Sequence, residues 1–311
     1  MDGVRHIPVL LQECLDGLQI RPDGVYLDGT LGLGGHSLEI ASRLGTGHLI
    51  CLDKDDFALQ HGSERLAPFA DKITFVHSDF RRAADVVREL GYSGMNGMLF
   101  DLGVSSPQLD DAERGFSYMQ DAPLDMRMDR SAALTAYDVV NTYSEEELAR
   151  IFFEYGEERF SRRIASAIVR ERTEKPLTTT SELVSVIKSA MPASALREKQ
   201  HPAKRCFQAI RIEVNDELGS VRDMMNSAPD VLLPGGRLCV ISFHSLEDRI
   251  VKNAIQKREN GCTCPREAPV CTCGFVKTLR SVSRKPITAS MEEIEGNPRA
   301  RSAKLRIAER V

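Results

Sequence analysis

The first hundred residues repeat one pattern four times, and this repeat constrains the fold more than any other feature of the sequence. Each repeat is a short β-rich apolar run that ends in Asp, followed by a stretch of helical character. Successive aspartates are 25, 26 and 22 residues apart, the length of one strand, one crossover helix and their loops. The pattern predicts βαβ units in a parallel sheet, with strands ending at Asp28, Asp53, Asp79 and Asp101.

The carboxyl ends of these strands are the expected place for a functional site. In a parallel sheet such ends lie along one edge, and ligands of open α/β sheets bind just outside it. The polar residues that follow each strand are therefore the first candidates for binding and catalysis.

The regular spacing of predicted strands ends after Asp101. The next strand, GRLCVISF, is predicted to begin at Gly236, 135 residues later. The sequence between them has helical signals. Ser144 and Glu147 form a capping box ahead of apolar residues at helical spacing, and Thr179 with Glu182 offers another. We predict an inserted helical domain over residues 107–209.

The remaining residues, 1–106 and 210–311, are predicted to form a discontinuous α/β core. The sequence PGG at 234–236 is expected to end a helix and turn the chain into a strand. The last strand is predicted in AKLRIAER, residues 303–310, where it would pair at an edge of the sheet.

Composition narrows the class of protein. The 311 residues are 42% hydrophobic and 28% charged, which excludes a disordered chain, and no apolar run approaches the length of a membrane span. The beginning of the sequence carries no export signal, so we expect a cytoplasmic protein without a membrane partner.

Positive charge is concentrated in two places although the net charge is −4. Residues 249–311 hold 14 Lys or Arg against 6 Glu, and the predicted insertion carries a basic stretch. Both surfaces could bind a polyanion, and a solvated basic surface is an equal alternative from charge alone. The basic stretch consists of Arg159, Arg162, Arg163, Arg170, Arg172 and Lys175.

The loop after the first strand, DGTLGLGGHS, is rich in glycine and opens a helix. Such a loop lets the backbone approach a ligand at a helix N-terminus. The dinucleotide pattern G-x-G-x-x-G fits poorly, because Gly32 and Gly34 match but Ser37 stands at the third position. Asp53 follows Gly32 by 21 residues, where a carboxylate can accept hydrogen bonds from both ribose hydroxyls of an adenosine-type cofactor. The alternative is that Asp53, and still more Asp28, caps a helix.

Binding sites for NAD and for S-adenosylmethionine share those features, so the residues after the later strands must distinguish the two cofactors. Asp79 and Phe80 suit an adenine pocket, with a carboxylate near the exocyclic amine and a ring against the base. After the fourth strand comes DLGVSSPQ, residues 101–108. Amino-group methyltransferases place a polar residue, two prolines and an aromatic here, and Ser106-Pro107-Gln108 keeps the polar residue and one proline; a plain turn is the alternative.

Several longer segments resemble the MraW/RsmH family of bacterial 16S rRNA cytosine-N4 methyltransferases nearly from end to end. The resemblance implies a Rossmann-like methyltransferase sheet with an inserted helical domain, S-adenosylmethionine as methyl donor, and a decoding-centre cytidine of the small ribosomal subunit as substrate. It places the cofactor contacts on Gly34, Gly35, His36, Asp53, Phe80, Asp101 and Gln108. The segments include HIPVLLQECLDGL, FDLGVSSPQLDDAERGFSYMQDAPLDMRMD, GEERFSRRIASAI, CFQAIRIEVNDEL, FHSLEDRIVK and NPRARSAKLRIAER.

The catalytic candidates are Ser106 and Asp101, on the loop after the fourth strand. The exocyclic amine of a base is a poor nucleophile because its lone pair is delocalised into the ring, so acceptors on a rigid loop must align it. Ser105 and Asp111 are further acceptor candidates. The aromatic residues Phe116, Tyr118 and Phe243 are candidates to stack on a flipped cytosine, or are core. His244, at the end of the fifth strand, is interpreted as a structural hydrogen-bonder.

The eight cysteines fall into two groups. Cys14, Cys51, Cys206 and Cys239 stand in apolar contexts and are predicted to be core residues. The second group, CTCPREAPVCTC, places Cys262, Cys264, Cys271 and Cys273 in two C-x-C pairs. This spacing is tighter than that of most zinc sites, so we predict a loop of reduced thiols and assign no metal ligand, with zinc as the alternative.

Two other functions compete with methyl transfer. A nicotinamide oxidoreductase would share Gly32, Gly34 and Asp53 but would leave the loop around Ser106 and the basic tail unexplained. A non-catalytic rRNA-binding assembly factor would not need the full set of glycines and strand-end carboxylates. Methylation at C5 of cytosine needs a Cys nucleophile, and no Cys occurs between Cys51 and Cys206, so we expect N4 as the acceptor.

Overall fold

A computed structural model describes residues 8–265 and 272–311. The chain divides into two compact units, one formed by residues 1–103 and 218–311 and the other by residues 104–217. We call them the sheet unit and the helical unit. The boundaries expected from the sequence were 106/107 and 209/210.

The sheet unit is built on a seven-stranded sheet of order β3-β2-β1-β4-β5-β7-β6. The first five strands run parallel, and β7 is antiparallel to both β5 and β6. The sheet confirms the predicted Rossmann-like α/β class. The strands are β1 (Val25–Asp28), β2 (His48–Asp53), β3 (Ile73–His77), β4 (Met95–Asp101), β5 (Leu232–Ser242), β6 (Leu279–Ser281) and β7 (Lys304–Arg310).

Fourteen α-helices lie in the described part of the chain. They are α1 (Leu11–Leu18), α2 (Gly35–Arg43), α3 (Asp56–Arg65), α4 (Ala83–Glu89), α5 (Ser106–Asp110), α6 (Ala136–Thr142), α7 (Glu145–Glu154), α8 (Ser161–Glu174), α9 (Thr180–Ala190), α10 (Ala193–Leu196), α11 (Lys204–Asn215), α12 (Glu217–Ser227), α13 (Ser245–Asn260) and α14 (Met291–Gly296). Within the described residues, none is both long and apolar enough to cross a membrane.

Three of the strand predictions are corrected by the structure. β3 ends at His77, so Asp79 lies in the following loop. β5 begins at Leu232 and therefore contains the PGG sequence, because its pairing with β4 shifts register between Met95 and Gly97 and a bulge tolerates proline. β7 is not an edge strand, because β6 pairs with its other side and forms the edge of the sheet. β6 is only three residues long, which is too short to show a strand pattern in the sequence.

Helices cover both faces of the sheet, and alternation along each strand assigns side chains to one face or the other. Met98 and Phe100 of β4 share one buried cluster with residues of α4, α12 and α13. Leu99, between them, belongs to a second cluster with residues of α1 and α2. These two cores fix the sheet, and with it the positions of the residues at the strand ends.

The helical unit has a core of its own, formed by α6–α9 and α11 with the segment before them. Both predicted capping boxes are confirmed. The hydroxyl oxygens of Ser144 and Thr179 accept hydrogen bonds from the backbone N–H groups of Glu147 and Glu182, at the starts of α7 and α9.

Candidate active site

The glycine-rich loop between β1 and α2 forms one wall of the strand-end site. Gly34 is the N-cap of α2 and has φ of 72°, in the left-handed region that glycine adopts without strain. At position 35 a Cβ atom would lie 2.4 Å from Cγ of Pro8. The loop therefore requires glycine at both positions. The N-cap residue Gly34 makes no side-chain hydrogen bond to the helix, and N–H groups at such a helix start can bind an anionic group.

Asp28 holds this loop in place. One carboxylate oxygen accepts the backbone N–H of Thr30 at 3.1 Å, and the other accepts the hydroxyl of Ser37 at 2.6 Å. The side chain is buried, and burial raises its pKa. Asp28 is not an N-cap, but its contacts are structural, tying the end of β1 to the first turn of α2.

Asp53 stands at the end of β2 and faces the same loop. Its Oδ2 accepts the backbone N–H of Gly32 at 2.8 Å, and its Oδ1 accepts the N–H of Asp55 at 3.0 Å. The N-cap of α3 is Asp55, whose side chain accepts the N–H of Phe57, so the alternative that Asp53 caps α3 is wrong. Burial raises the pKa of Asp53 to about 6. Each carboxylate oxygen keeps a lone pair that can accept a ribose hydroxyl.

We expect Asp53→Ala to weaken binding of S-adenosylmethionine by about 1–3 kcal/mol, because two ribose hydroxyls would lose their acceptors. Titration calorimetry measures the change. Asp56→Ala is the matched control, because the side chain of Asp56 is 83% exposed and no cofactor contact is assigned to this residue. Equal affinity of Asp53→Ala and the unchanged protein would show that the ribose assignment is wrong.

Asp79 and Phe80 follow β3 at the next position along the edge. Asp79 accepts the backbone N–H of Arg81 at 2.9 Å and the hydroxyl of Ser220 at 3.0 Å, and Nζ of Lys54 lies 3.5 Å away. Its carboxylate oxygens therefore already have hydrogen-bond and ionic partners within the sheet unit. The ring of Phe80 is half-buried and meets Phe100 edge-on at 6.1 Å between centroids. Its partial exposure suits stacking against a base, and this role stays a prediction.

Asp101, at the end of β4, is the most unusual carboxylate of the edge. Among the described residues its buried Oδ1 has no hydrogen-bond partner. Burial, with the charges of Asp28 and Glu247 nearby, raises its pKa to about 8. A buried carboxylate in this state is costly unless a cation or a donor satisfies it. The site therefore fits a ligand that brings positive charge.

His36 lies beside the carboxylate of Asp101. Its Nδ1 lies 3.9 Å from Oδ2 of Asp101, and its Nε2 is 3.0 Å from the carbonyl oxygen of Val9. Burial lowers the pKa of the imidazole, so His36 is neutral and does not neutralise Asp101. It instead fixes the segment before α1 against the glycine-rich loop.

Glu247 is a further charged residue at this edge and is not among the site residues predicted from the sequence. It is buried in the first turn of α13, and its Oε2 accepts the backbone N–H groups of Phe243 and His244. Its Oε1 lies 3.1 Å from Nε2 of His244. Glu247 thus closes the N-terminus of α13 and adds negative charge beside Asp101. Among the described residues neither ring nitrogen of His244 has a hydrogen-bond partner, so its structural role stays a prediction.

Several predicted site residues belong to the helical unit. Ser106 is the first residue of α5, and Oε1 of buried Gln108 accepts the backbone N–H of Ser105 at the start of that helix. Asp111 caps the short helical turn that follows. The assignments of Gln108 to the cofactor and of Ser106 to catalysis stay predictions.

The three aromatic candidates for base stacking have different surroundings. Phe116 is 6% exposed and belongs to the core of the helical unit, which confirms the alternative that it is a core residue. Tyr118 already stacks on His201 within this unit, with centroids 4.6 Å apart and the rings 10° from parallel. Phe243 is half-buried at the end of β5, and its role as a stacking residue stays a prediction.

The cysteines divide as expected between core and loop. Cys14, Cys51, Cys206 and Cys239 are fully buried. In the loop, Cys262, Cys264 and Cys273 lie together outside the hydrophobic cores, and Cys271 lies outside the described residues.

Comparison with known proteins identifies the family. The family model described as the MraW methylase family matches residues 3–311. The chain belongs to the MraW methylase family. Proteins named "Ribosomal RNA small subunit methyltransferase H" from Brevibacillus brevis and Heliobacterium mobile are each 56% identical to it, covering 98% of this chain and 98% or 99% of theirs. The protein of that name from Clostridioides difficile is 53% identical over 98% of this chain and 99% of its own.

Solved structures with the same coverage are more distant. One is titled a putative rRNA-methylase from Clostridium thermocellum, with 10% identity, a TM-score of 0.47, and coverage of 98% of this chain and 99% of that chain.

Family membership confirms S-adenosylmethionine as the cofactor and excludes the nicotinamide oxidoreductase considered from the glycine-rich loop. The partnerless Asp101 oxygen agrees with this choice, because S-adenosylmethionine carries a sulfonium and an ammonium group. The protein is thus a methyltransferase of a family whose named members act on small-subunit ribosomal RNA.

Proposed function

We propose that this protein transfers the methyl group of S-adenosylmethionine to N4 of a decoding-centre cytidine in 16S rRNA. The observation that carries the proposal is the buried Asp101 carboxylate, which lacks a hydrogen-bond partner within the described residues and faces an edge already rich in negative charge. The names of the relatives support small-subunit rRNA as the substrate.

The cofactor would be held by residues along the strand ends. Asp53 would accept the ribose hydroxyls, Phe80 would stack on the adenine, and Gly34 and Gly35 would let the backbone approach it closely. Asp101 would face the positively charged methionine portion, and Gln108 would complete the cofactor contacts. When bound, S-adenosylmethionine supplies an electrophilic methyl group on its sulfonium sulfur.

The acceptor is best explained as an exocyclic amine. Attack by a delocalised lone pair on a sulfonium methyl needs alignment more than it needs a strong base. The loop at 101–108 offers acceptors that could orient the amine hydrogens, among them Ser106. Methylation at C5 would need a Cys nucleophile, and residues 52–205 contain none.

We expect Ser106→Ala to reduce turnover by about tenfold or more, in line with loss of one positioned acceptor, and to leave cofactor affinity nearly unchanged. Single-turnover rates and calorimetry on the same samples separate these effects. Ser185→Ala, which removes an exposed hydroxyl that donates to the carbonyl of Ser181 in α9, is the control. A Ser106→Ala variant with normal turnover would remove Ser106 from the catalytic loop.

A methyl-transfer assay distinguishes the proposal from a non-catalytic assembly factor. Small subunits from cells that lack the protein are mixed with it and with S-adenosylmethionine labelled on the methyl group. We expect label in 16S rRNA and none in large-subunit rRNA. Binding to the subunit without transfer of label would instead support the assembly factor.

A further inference from the structure

Three cysteines form a surface cluster that the methyl-transfer site does not use. They lie in the segment between α13 and β6, where Cys262 and Cys273 are exposed and Cys264 is half-buried. The three sulfur atoms all lie within 4.8 Å of one another. A single ion could therefore contact all of them.

Burial does not account for this cluster as it accounts for the other cysteines. Cys14, Cys51, Cys206 and Cys239 are each 0% exposed and fill space in the hydrophobic cores. Unpaired cysteine is one of the residue types most often buried. Bringing three thiols together in water gives no comparable gain from the hydrophobic effect, so their convergence needs another reason.

The distances match metal ligation and do not match a disulfide. The sulfur atoms of Cys262 and Cys273 are 3.6 Å apart. A disulfide bond needs about 2.05 Å. Zinc–sulfur bonds of about 2.3 Å in a tetrahedron put neighbouring sulfur atoms about 3.8 Å apart. The Cys262–Cys273 pair is thus close to the spacing of two ligands of one ion.

The backbone around Cys264 favours its thiolate. The N–H of Thr272 donates to Sγ of Cys264 at 3.2 Å. Donors of this kind orient thiolate ligands and stabilise their charge in metal sites.

The far end of the segment is anchored to the last turn of α13, from which the segment begins. The carboxylate of Glu259 accepts the hydroxyl of Ser281 at 2.6 Å and its backbone N–H at 3.2 Å. The N–H of Thr278 donates to the carbonyl oxygen of Arg258 at 3.0 Å. These contacts hold the two thiol-bearing stretches side by side, which lowers the entropy cost of closing a shared site.

We propose that Cys262, Cys264 and Cys273 bind one Zn²⁺ ion as a structural site. Thiolates are soft ligands that favour zinc over magnesium or calcium, and each thiol would lose its proton to solvent on binding. A further protein ligand beyond these three thiols would complete the tetrahedron, because structural zinc sites are closed. The ion would cross-link the segment between α13 and β6, in the most basic part of the chain.

Zinc titration of the full-length protein tests this site. The protein is purified with a non-thiol reductant, stripped with a chelator, and titrated with Zn²⁺ against a chromophoric competitor. We expect one ion per chain, and at least about hundredfold weaker binding in Cys262→Ser and in Cys273→Ser, since even changes outside the ligand shell cost 10- to 100-fold. Cys206→Ala, which removes a buried thiol, should keep full affinity.

Two further measurements keep the outcome decisive. Co²⁺ in place of zinc should give a thiolate charge-transfer band in the near ultraviolet for the unchanged protein, and the band should weaken in both Ser variants. Binding of S-adenosylmethionine by each variant shows that it is folded. The proposal is overturned if the unchanged protein takes up no Zn²⁺ or Co²⁺, if Cys206→Ala loses as much zinc as the Ser variants, or if protein isolated without reductant contains a Cys262–Cys273 disulfide and no zinc.

Discussion

The variant Asp101→Asn is expected to bind S-adenosylmethionine about 10- to 100-fold more weakly than the unchanged protein, because a hydrogen bond to a charged group contributes about 1.5–3 kcal/mol. The same change removes a buried charge that lacks a partner within the described residues. We therefore expect the cofactor-free variant to melt at a higher temperature at pH 8 than the unchanged protein. Stability would rise while binding falls, as is common at sites shaped for a ligand.

The pH dependence follows from the raised pKa of Asp101. Burial moves this pKa from 3.8 to about 8, so the cofactor-free protein binds a proton there at pH 7. A cationic ligand favours the ionised form, and its binding releases the proton. Affinity should increase with pH by at most about tenfold per unit and level off above pH 8.

Folding stability has the opposite pH dependence. Because the pKa of Asp101 is higher in the folded than in the unfolded protein, its contribution is fully present below about pH 4 and is lost as the pH rises through about 8. Calorimetry and thermal melting at several pH values measure both effects. Asp23→Asn, at a side chain that is 66% exposed, is the control. Identical affinity and pH profile in Asp101→Asn would exclude Asp101 from the cofactor site.

The second large effect is expected on binding of the ribosomal substrate when arginines of the basic helix α8 are replaced. Arg162, Arg163 and Arg170 are exposed, and within the described residues none of them forms an ion pair. The other members of the basic stretch have partners: Arg159 pairs with Glu198, Lys175 pairs with Glu182, and Arg172 donates to backbone carbonyls. We therefore propose these three exposed arginines as the phosphate ligands of this helix.

Replacing all three by Gln is expected to weaken binding of the ribosomal substrate about a hundredfold near 0.1 M salt, and to reduce the slope of log affinity against log salt by about 2–3. Cofactor affinity should stay the same. Filter binding at four salt concentrations measures the slope, and calorimetry measures the cofactor.

A charge-matched variant controls for the loss of net charge. Arg21, Arg43 and Arg88 pair with acidic neighbours in the sheet unit, near the amino ends of the strands and away from the site. Their replacement by Gln removes the same charge and should leave the salt slope unchanged. An equal effect of both triple variants would show that α8 makes no specific phosphate contacts.

The parts of the fold that the sequence predicted well are those determined by neighbouring residues. The strand ends at Asp28, Asp53 and Asp101, and the capping boxes at Ser144 and Thr179, depend on local alternation and on hydrogen bonds over three residues. The position of β7 depends on pairing with β6, which is distant in sequence and only three residues long. The PGG sequence was misinterpreted because its bulge exists only through pairing with β4.

In the candidate site, too, the features that depend on neighbouring residues could be predicted, and those that depend on distant contacts could not. Composition and spacing placed the carboxylates at one edge, but their separate roles depend on backbone N–H groups that only the folded chain brings near them. Asp28 is tied to Ser37, whereas Asp101 keeps an oxygen without a partner among the described residues. The contribution of Glu247 could not be predicted, since its burial follows from the packing of α13. One signal was available: FHSLE places Glu247 three residues after the N-cap residue His244, as in a capping box.

The most direct test of the account is the chemical identity of the product. 16S rRNA from small subunits that were methylated in the presence of labelled S-adenosylmethionine is digested to nucleosides, which are separated and measured by mass spectrometry. We predict that the labelled nucleoside is N4-methylcytidine and that, at low cofactor concentration, Asp101→Asn lowers the amount of label by about the factor by which it weakens cofactor binding. Label in 5-methylcytidine or in a methylated adenosine would contradict this prediction, because neither product can arise from alignment of a cytosine amine.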